Sequence, residues 1–322
     1  MPPAASALPT IARPHGRAMD FCFRHTAGLA AFAAGLMLVA TLAAIAWDSA
    51  LAIKTFGFGF LWTSDWNPVT DRFGAFPFII GTLVSSAIAM ALATPISFGI
   101  ALFITELAPR RLKQPVSSAI ELLAAIPSIV YGLWGLLVFA PAFSKIEPWI
   151  DSHLGHLPGI GLLFQGPPMG IGMFTAGIVL AIMVLPFITA IMRDVFVMVP
   201  KHLKESAYGL GCTTWEVSRR VIVPYTRTAV TGGIFLGLGR ALGETMAVTF
   251  VIGNSNTLSA SLLMPGASIP SVIANEFTEA TTPLYTSSLI YLGLILFGIT
   301  LVVRLIAAWM LRSMRRNALG RP

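Results

Sequence analysis

Six long apolar runs alternate with more polar connections along this chain: Ala27–Trp47, Phe76–Thr105, Val116–Phe139, Gly172–Met192, Ala229–Ile252 and Tyr285–Met310. A helix needs about 20 apolar residues to cross the hydrocarbon core of a bilayer. Each run meets that length, which predicts six spanning helices and an all-α polytopic fold. The first run is rich in Ala and Leu and ends in an interfacial Trp. It is too long for a signal-peptide core, and no small-residue cleavage site follows it.

Composition supports the same class. Of 322 residues, 56% are hydrophobic and only 11% charged, and mean hydropathy is +0.80. Soluble domains carry about a quarter of their residues as Asp, Glu, Lys and Arg, so this chain cannot cover a water-facing surface. A soluble enzyme, a disordered chain and a disulfide scaffold are excluded. Cys22 and Cys212 lack CxxC or His-rich context and read as free thiols.

The net charge of +7 follows topology. Arg13, Arg17 and Arg24 precede the first run; Arg110, Arg111 and Lys113 lie between the second and third. Arg193, Lys201, Lys204, Arg219, Arg220 and Arg227 lie between the fourth and fifth, and Arg312, Arg315, Arg316 and Arg321 in the tail. The opposite connections hold Lys54, Arg72 and Lys145 against Asp48, Asp65, Asp71, Glu147, Asp151, Glu276 and Glu279. By the positive-inside rule both termini are expected in the cytoplasm. The alternation accounts for the basic charge without nucleic acid. The expected division is a tail at 1–24, the first helix at 25–47, an outer loop at 48–75, a five-helix core at 76–310 and a basic tail at 311–322. Of the outer connections, the third holds a semi-apolar stretch, Ala267 to Phe277, that could dip into the bilayer where protein buries it.

The connection at 199–224 predicts two short amphipathic helices joined by a Gly turn. Pro200 suits a first helical position, Gly209 or Gly211 a helix end, and Thr213 with Glu216 a capping box; Pro224 is expected to stop the second helix. Tethered between two spans, the segment has no room for a three-helix DNA-binding module. It reads as an interfacial connector or as a docking helix for a cytoplasmic partner. Glu205-Ser206-Ala207, Gly211 and Val221-Ile222-Val223-Pro224 resemble the EAA loop of bacterial ABC importer permeases, with Ser206, Val221 and Val223 as conservative departures. The resemblance implies that the first short helix sits in a groove of an ATPase subunit.

The fifth run carries Arg240 and Glu244, four apart and therefore expected on one face of a helix. A charge at the centre of a spanning helix costs about 2.5–3.5 kcal/mol, so neither should face lipid. Gly233/Gly237 and Gly239/Gly243 are two small-xxx-small pairs that admit a neighbouring helix closely. The charges either neutralise each other and fix packing, or meet an anion in a path. A guanidinium binds phosphate in bidentate fashion, and a carboxylate beside it can accept the proton that phosphate keeps and sulfate lacks.

Residues 237–254, through Gly239-Arg240-Ala-Leu-Gly-Glu244, closely resemble the PstC-type permease subunits of phosphate-specific ABC transporters. Trp66-Asn-Pro68, Phe73-Gly74, Pro77-Phe78, Glu121 to Gly132 and Ser271 to Phe277 agree. The resemblance implies a MetI-like core formed by the last five helices, half of a phosphate pathway, and Arg240 and Glu244 in that pathway. It also implies a PstA-type second permease, a PstB-type ATPase dimer and a PstS-type periplasmic phosphate-binding protein as partners. No GxxxxGK[ST] segment occurs in the chain, so it has no P-loop. No cofactor is expected in this chain; ATP and Mg belong to the partner ATPase. A permease for sulfate or molybdate, and an ion-coupled secondary transporter, are the alternative readings.

Lesser signals have plainer readings. Glu121 is expected in the first turn of the third span, where it favours the helix dipole, lines the path or braces an interface. Pro95, Pro127 and Pro186 interrupt spans as kinks. His153 and His156 have no carboxylate cluster, so no metal site is expected.

Overall fold

A computed structural model describes residues 17–319. Arg13, Arg321 and the first 16 residues of the expected N-terminal tail lie outside the described residues. The chain divides into two compact units, Met1–Trp47 and Asp48–Pro322.

The described residues of the first unit belong to the helix α1 (Arg17–Asp48). Apolar side chains such as Phe32 and Leu36 are exposed around it, as befits a helix whose solvent is lipid or another chain.

The second unit begins with α2 (Ala50–Phe56) and a 3₁₀ turn, then α3 (Phe76–Leu102) extended by a π-helical turn at Phe103–Leu107. Next come α4 (Arg110–Ala125) and α5 (Ser128–Trp134), the latter running through a π turn into α6 (Ala140–Phe143). After α7 (Glu147–Leu154) come α8 (Met173–Val197), α9 (Lys201–Gly209), and α10 (Thr214–Val217), which passes through a third π turn at Ser218–Ile222 into α11 (Val223–Leu242). The chain closes with α12 (Met246–Val251), α13 (Ile269–Glu276) and α14 (Pro283–Leu319). Among the described residues five helical stretches are long and apolar enough to cross a membrane, and a sixth crossing exists if the bent pair α4 and α5–α6 counts as one.

The core forms around α8. Ala89, Ala93 and Ala101 of α3 are buried against its larger residues Val179, Leu180, Met183, Val184, Ile188 and Met192. Small side chains on one helix let the bulkier row of the other seat between them. A second cluster joins Phe60, Trp66, Phe73 and Phe78 to Ile269, Val272, Tyr285 and Leu289 at the end of the unit bearing the acidic connections. The stretch expected to dip inward is α13, which begins at a Ser268 capping box. It is buried at Ile269 and Val272, and the Ile269 N–H donates to Thr82 Oγ1 of α3 at 2.9 Å.

Three expectations change. The third apolar run is not one straight helix: α4 and α5–α6 meet at 90°. Pro127 disfavours helical geometry in the residue before it, and Ile126 is extended, with ψ 130°. Glu121 therefore lies near the C-terminal end of α4 rather than in a first turn. Pro224 does not end a short helix; the π turn widens the backbone before it, and α11 runs on. The Val223 N–H reaches back five residues to the Ser218 carbonyl, so Pro224 falls in the first turn of α11, where a missing N–H costs little.

Candidate functional site

Arg240 stands in the last turn of α11. The helix does not continue to Glu244: it ends at Leu242, and α12 starts at Met246. Gly243 supplies no side chain to support another turn, and a helical Gly costs about 1 kcal/mol relative to Ala. Glu244 Oε1 instead accepts the Ala247 N–H at 3.3 Å, covering one of the backbone groups the break exposes. The expected Arg240–Glu244 pair on one helical face is corrected accordingly. Among the described residues no carboxylate lies within ion-pair distance of Arg240.

What holds Arg240 is an aromatic face. Its guanidinium carbon is 5.3 Å from the ring centre of Phe187 on α8. Such a contact offers about 0.5–2 kcal/mol, less than the full insertion cost of an arginine, and it leaves the guanidinium N–H edge for an acceptor. The two glycine pairs divide. A Cβ at Gly233 or Gly237 would meet Ile191 or Ile188 of α8, so the first pair sets the approach of α11 to α8; one at Gly239 would meet nothing within 4 Å.

At the other end of α11 the two basic connections meet. Glu205 and Ser206 of α9 are exposed, while Ala207 packs against the core. Gly211, with φ +84°, makes the turn, a conformation only Gly adopts without strain. Thr213 and Glu216 then form the expected capping box. The same turn exposes Tyr208, Leu210 and Trp215. Lys204 Nζ is bonded to Glu106 Oε1 at 2.6 Å, and Arg193 Nη1 to Glu121 Oε1 at 2.8 Å. Glu121 thus ties α4 to α8.

Phe187, Glu106 and Lys204 were not distinguished by sequence reasoning. Phe187 follows Pro186 in an ordinary apolar run, and the only hint at Glu106 is a carboxylate closing a spanning run. Glu276 was also passed over: it accepts Trp66 Nε1 at 2.7 Å and the Tyr285 hydroxyl at 2.6 Å on Oε2, and Asn256 Nδ2 at 3.1 Å on Oε1. Trp66-Asn-Pro68 and Ser271 to Phe277, two stretches that carry the resemblance, contain Trp66 and Glu276 themselves; nothing in the sequence pointed to Tyr285 or Asn256.

Residues 93–316 match the family described as binding-protein-dependent transport system inner membrane component. The chain is 57% identical to the "Phosphate transport system permease protein PstC" of Pasteurella multocida over 88% of this chain and 89% of that protein. It is 55% identical to the protein of the same name from Mesorhizobium japonicum, over 91% and 90%. Among solved structures, a chain of the bacterial alginate ABC transporter in complex with alginate pentasaccharide-bound periplasmic protein is similar in fold. That likeness has a TM-score of 0.61 at 17% identity and covers 94% of this chain and 98% of that one.

Proposed function

This chain belongs to the family of binding-protein-dependent transport system inner membrane components, in its phosphate-transport permease branch, and from that premise we propose how it carries phosphate. As a permease subunit of an ABC importer it forms half of a pathway whose other half is a PstA-type subunit. A PstS-type protein delivers phosphate at the mouth bearing the acidic connections, which is the periplasmic side of the inner membrane. A PstB-type ATPase dimer, holding ATP and Mg, engages α9 through Glu205, Ser206 and Ala207 on the basic, cytoplasmic side. The Gly211 turn and Pro224 at the head of α11 connect that docking to the spanning helix.

The observation that carries the reading is Arg240: a half-buried guanidinium on a spanning helix, held over Phe187 and with no carboxylate partner among the described residues. An unneutralised cation there lowers the cost of bringing an oxyanion out of water, and its planar fork matches two phosphate oxygens. Glu244 spends Oε1 on the Ala247 N–H and keeps Oε2 for the proton that phosphate retains near neutral pH, which disfavours sulfate. Glu121, in its ion pair with Arg193, braces the interface between α4 and α8 rather than lining the path.

The test is ATP-dependent uptake of labelled phosphate and sulfate by the assembled complex, wild type against Arg240→Gln. Phosphate-selective uptake that is lost in the variant, with assembly and ATP hydrolysis retained, supports Arg240 as a path residue. Wild-type uptake by Arg240→Gln assigns Arg240 to packing against Phe187 and removes it from the path.

A further inference from the structure

The end of α3 is held from two sides. At Phe103–Leu107 the helix widens into a π turn, closed by the Ala108 N–H on the Phe103 carbonyl at 2.7 Å. The residue four after Thr105 is Pro109, which has no N–H to give, so the Thr105 carbonyl lacks its helical donor. Lys113, in the first turn of α4, supplies one: its Nζ reaches that carbonyl at 2.6 Å. The next residue, Glu106, has a side chain only 8% exposed, and Lys204 of α9 bonds to it at 2.6 Å while itself only 17% exposed. A carboxylate and an ammonium largely withdrawn from water at that distance are costly to separate, because each alone is a poorly compensated charge.

Lys204 and Ala207 are three apart and so share a face of α9; that face meets the body of the protein, while Glu205 and Ser206 face away and are exposed. The inward face makes two kinds of contact. Ala207 packs against apolar side chains, a contact that resists compression far more than separation. The ion pair resists both. α3 in turn packs along α8, with Phe98 edge-on to Phe196 at 5.5 Å, and α8 carries the Phe187 ring under Arg240.

We infer that the Lys204–Glu106 ion pair is the joint through which α9 pulls the end of α3, making both of them positioning residues for transport. The inference rests on the reading of α9 as the ATPase-docking helix. When the ATPase pair opens, α9 must be drawn back; packing at Ala207 would let α3 lag behind, and the ion pair makes it follow. Hydrolysis itself, carried by the ATPase, continues without the joint.

The experiment uses the complete importer in proteoliposomes, with phosphate uptake and ATP hydrolysis measured in one sample. Glu106→Gln and Lys204→Met should each keep ATP hydrolysis and lower phosphate moved per ATP by about tenfold. The charge swap, Lys204→Glu with Glu106→Lys, should recover most of that ratio. A purely structural role would change the amount of assembled complex and leave the ratio alone. Wild-type ratios in both single variants overturn the inference. If the single variants fail to assemble, the swapped protein decides: a recovered ratio supports the joint, and any other result overturns it. Ser206→Cys separates the underlying reading. A crosslink from this position to the ATPase, together with unchanged ratios in the single variants, overturns only the joint. With no crosslink, the docking reading of α9 falls and the inference falls with it.

Discussion

The guanidinium of Arg240 on α11 lies 5.3 Å from the centre of the Phe187 ring on α8, so the cation that the substrate is proposed to meet is positioned by an aromatic face and not by a carboxylate. A ring face attracts the charge without occupying its N–H donors. Replacing Phe187 with Leu keeps an apolar side chain of similar length and removes the quadrupole. With about 0.5–2 kcal/mol at stake, phosphate uptake should fall between about twofold and thirtyfold with the complex still assembled. Arg240→Lys should not restore an Arg240→Gln defect, since an ammonium lacks the planar fork. Uptake assays on the three variants check both statements; unchanged uptake in Phe187→Leu removes the ring from the site.

A second prediction concerns the contact of α13 with α3. A Cβ built on Gly81 would fall on the Ala267 carbonyl oxygen, just before α13. The next residue of α3, Thr82, receives the Ile269 N–H, so the two segments cannot move apart without leaving a buried donor unpaired. Gly81→Ala should destabilise the protein by about 1–3 kcal/mol through overpacking, read as a lowered thermal midpoint of the purified complex. An unchanged midpoint would mean that α13 yields easily.

The spanning segments were legible because crossing hydrocarbon imposes a length, and that length is visible as a run of apolar letters. The α9 turn was legible for a similar reason: Gly211 and the Thr213–Glu216 box act over a few residues. The bend at Pro127 was less so, because the apolar run continues through it and a proline alone reads as a kink of any size. The break after Leu242 was hidden altogether; Arg240 and Glu244 have helical spacing whether or not Gly243 keeps the helix intact. Pairs such as Lys204 with Glu106, or Arg240 with Phe187, join distant segments whose meeting is decided by packing. The resemblance singled out Arg240 and Glu244, but said nothing of the ring that holds the guanidinium.

Glu276 gives a third prediction. Its carboxylate accepts from Trp66, Tyr285 and Asn256, tying the 57–75 connection, the segment before α13 and the start of α14 to one side chain. Glu276→Gln turns one acceptor oxygen into a donating amide, so at least one of the three donors must face another N–H. Hydrogen bonds to charged groups contribute about 1.5–3 kcal/mol. The variant should lose stability on that scale, and Trp66→Phe should lose less, since Tyr285 and Asn256 remain. Thermal unfolding of the two variants side by side tests the ranking; equal midpoints for Glu276→Gln and wild type would sink it.

The last prediction is a pH dependence. Glu147 opens α7 in the connection between α6 and α8, and it is 2% exposed. Its Oε2 accepts the Gly170 N–H at 2.8 Å, and its Oε1 has no partner among the described residues. Burial pushes the carboxyl above the usual carboxylate range, and the Gly170 bond draws it back only in part. The folded chain therefore binds this proton more tightly than the unfolded chain does. The stabilisation is complete below the unfolded value of about 4.3 and is lost as pH rises through the raised folded value. Above that, Glu147 sits ionised with one backbone donor, and the anchor it makes to Gly170 works against its desolvation. Glu147→Gln keeps an acceptor for Gly170 and cannot ionise. The midpoint of wild type minus that of the variant should fall as pH rises through this window and level off above it. A difference that stays constant with pH would show that Glu147 keeps one protonation state throughout.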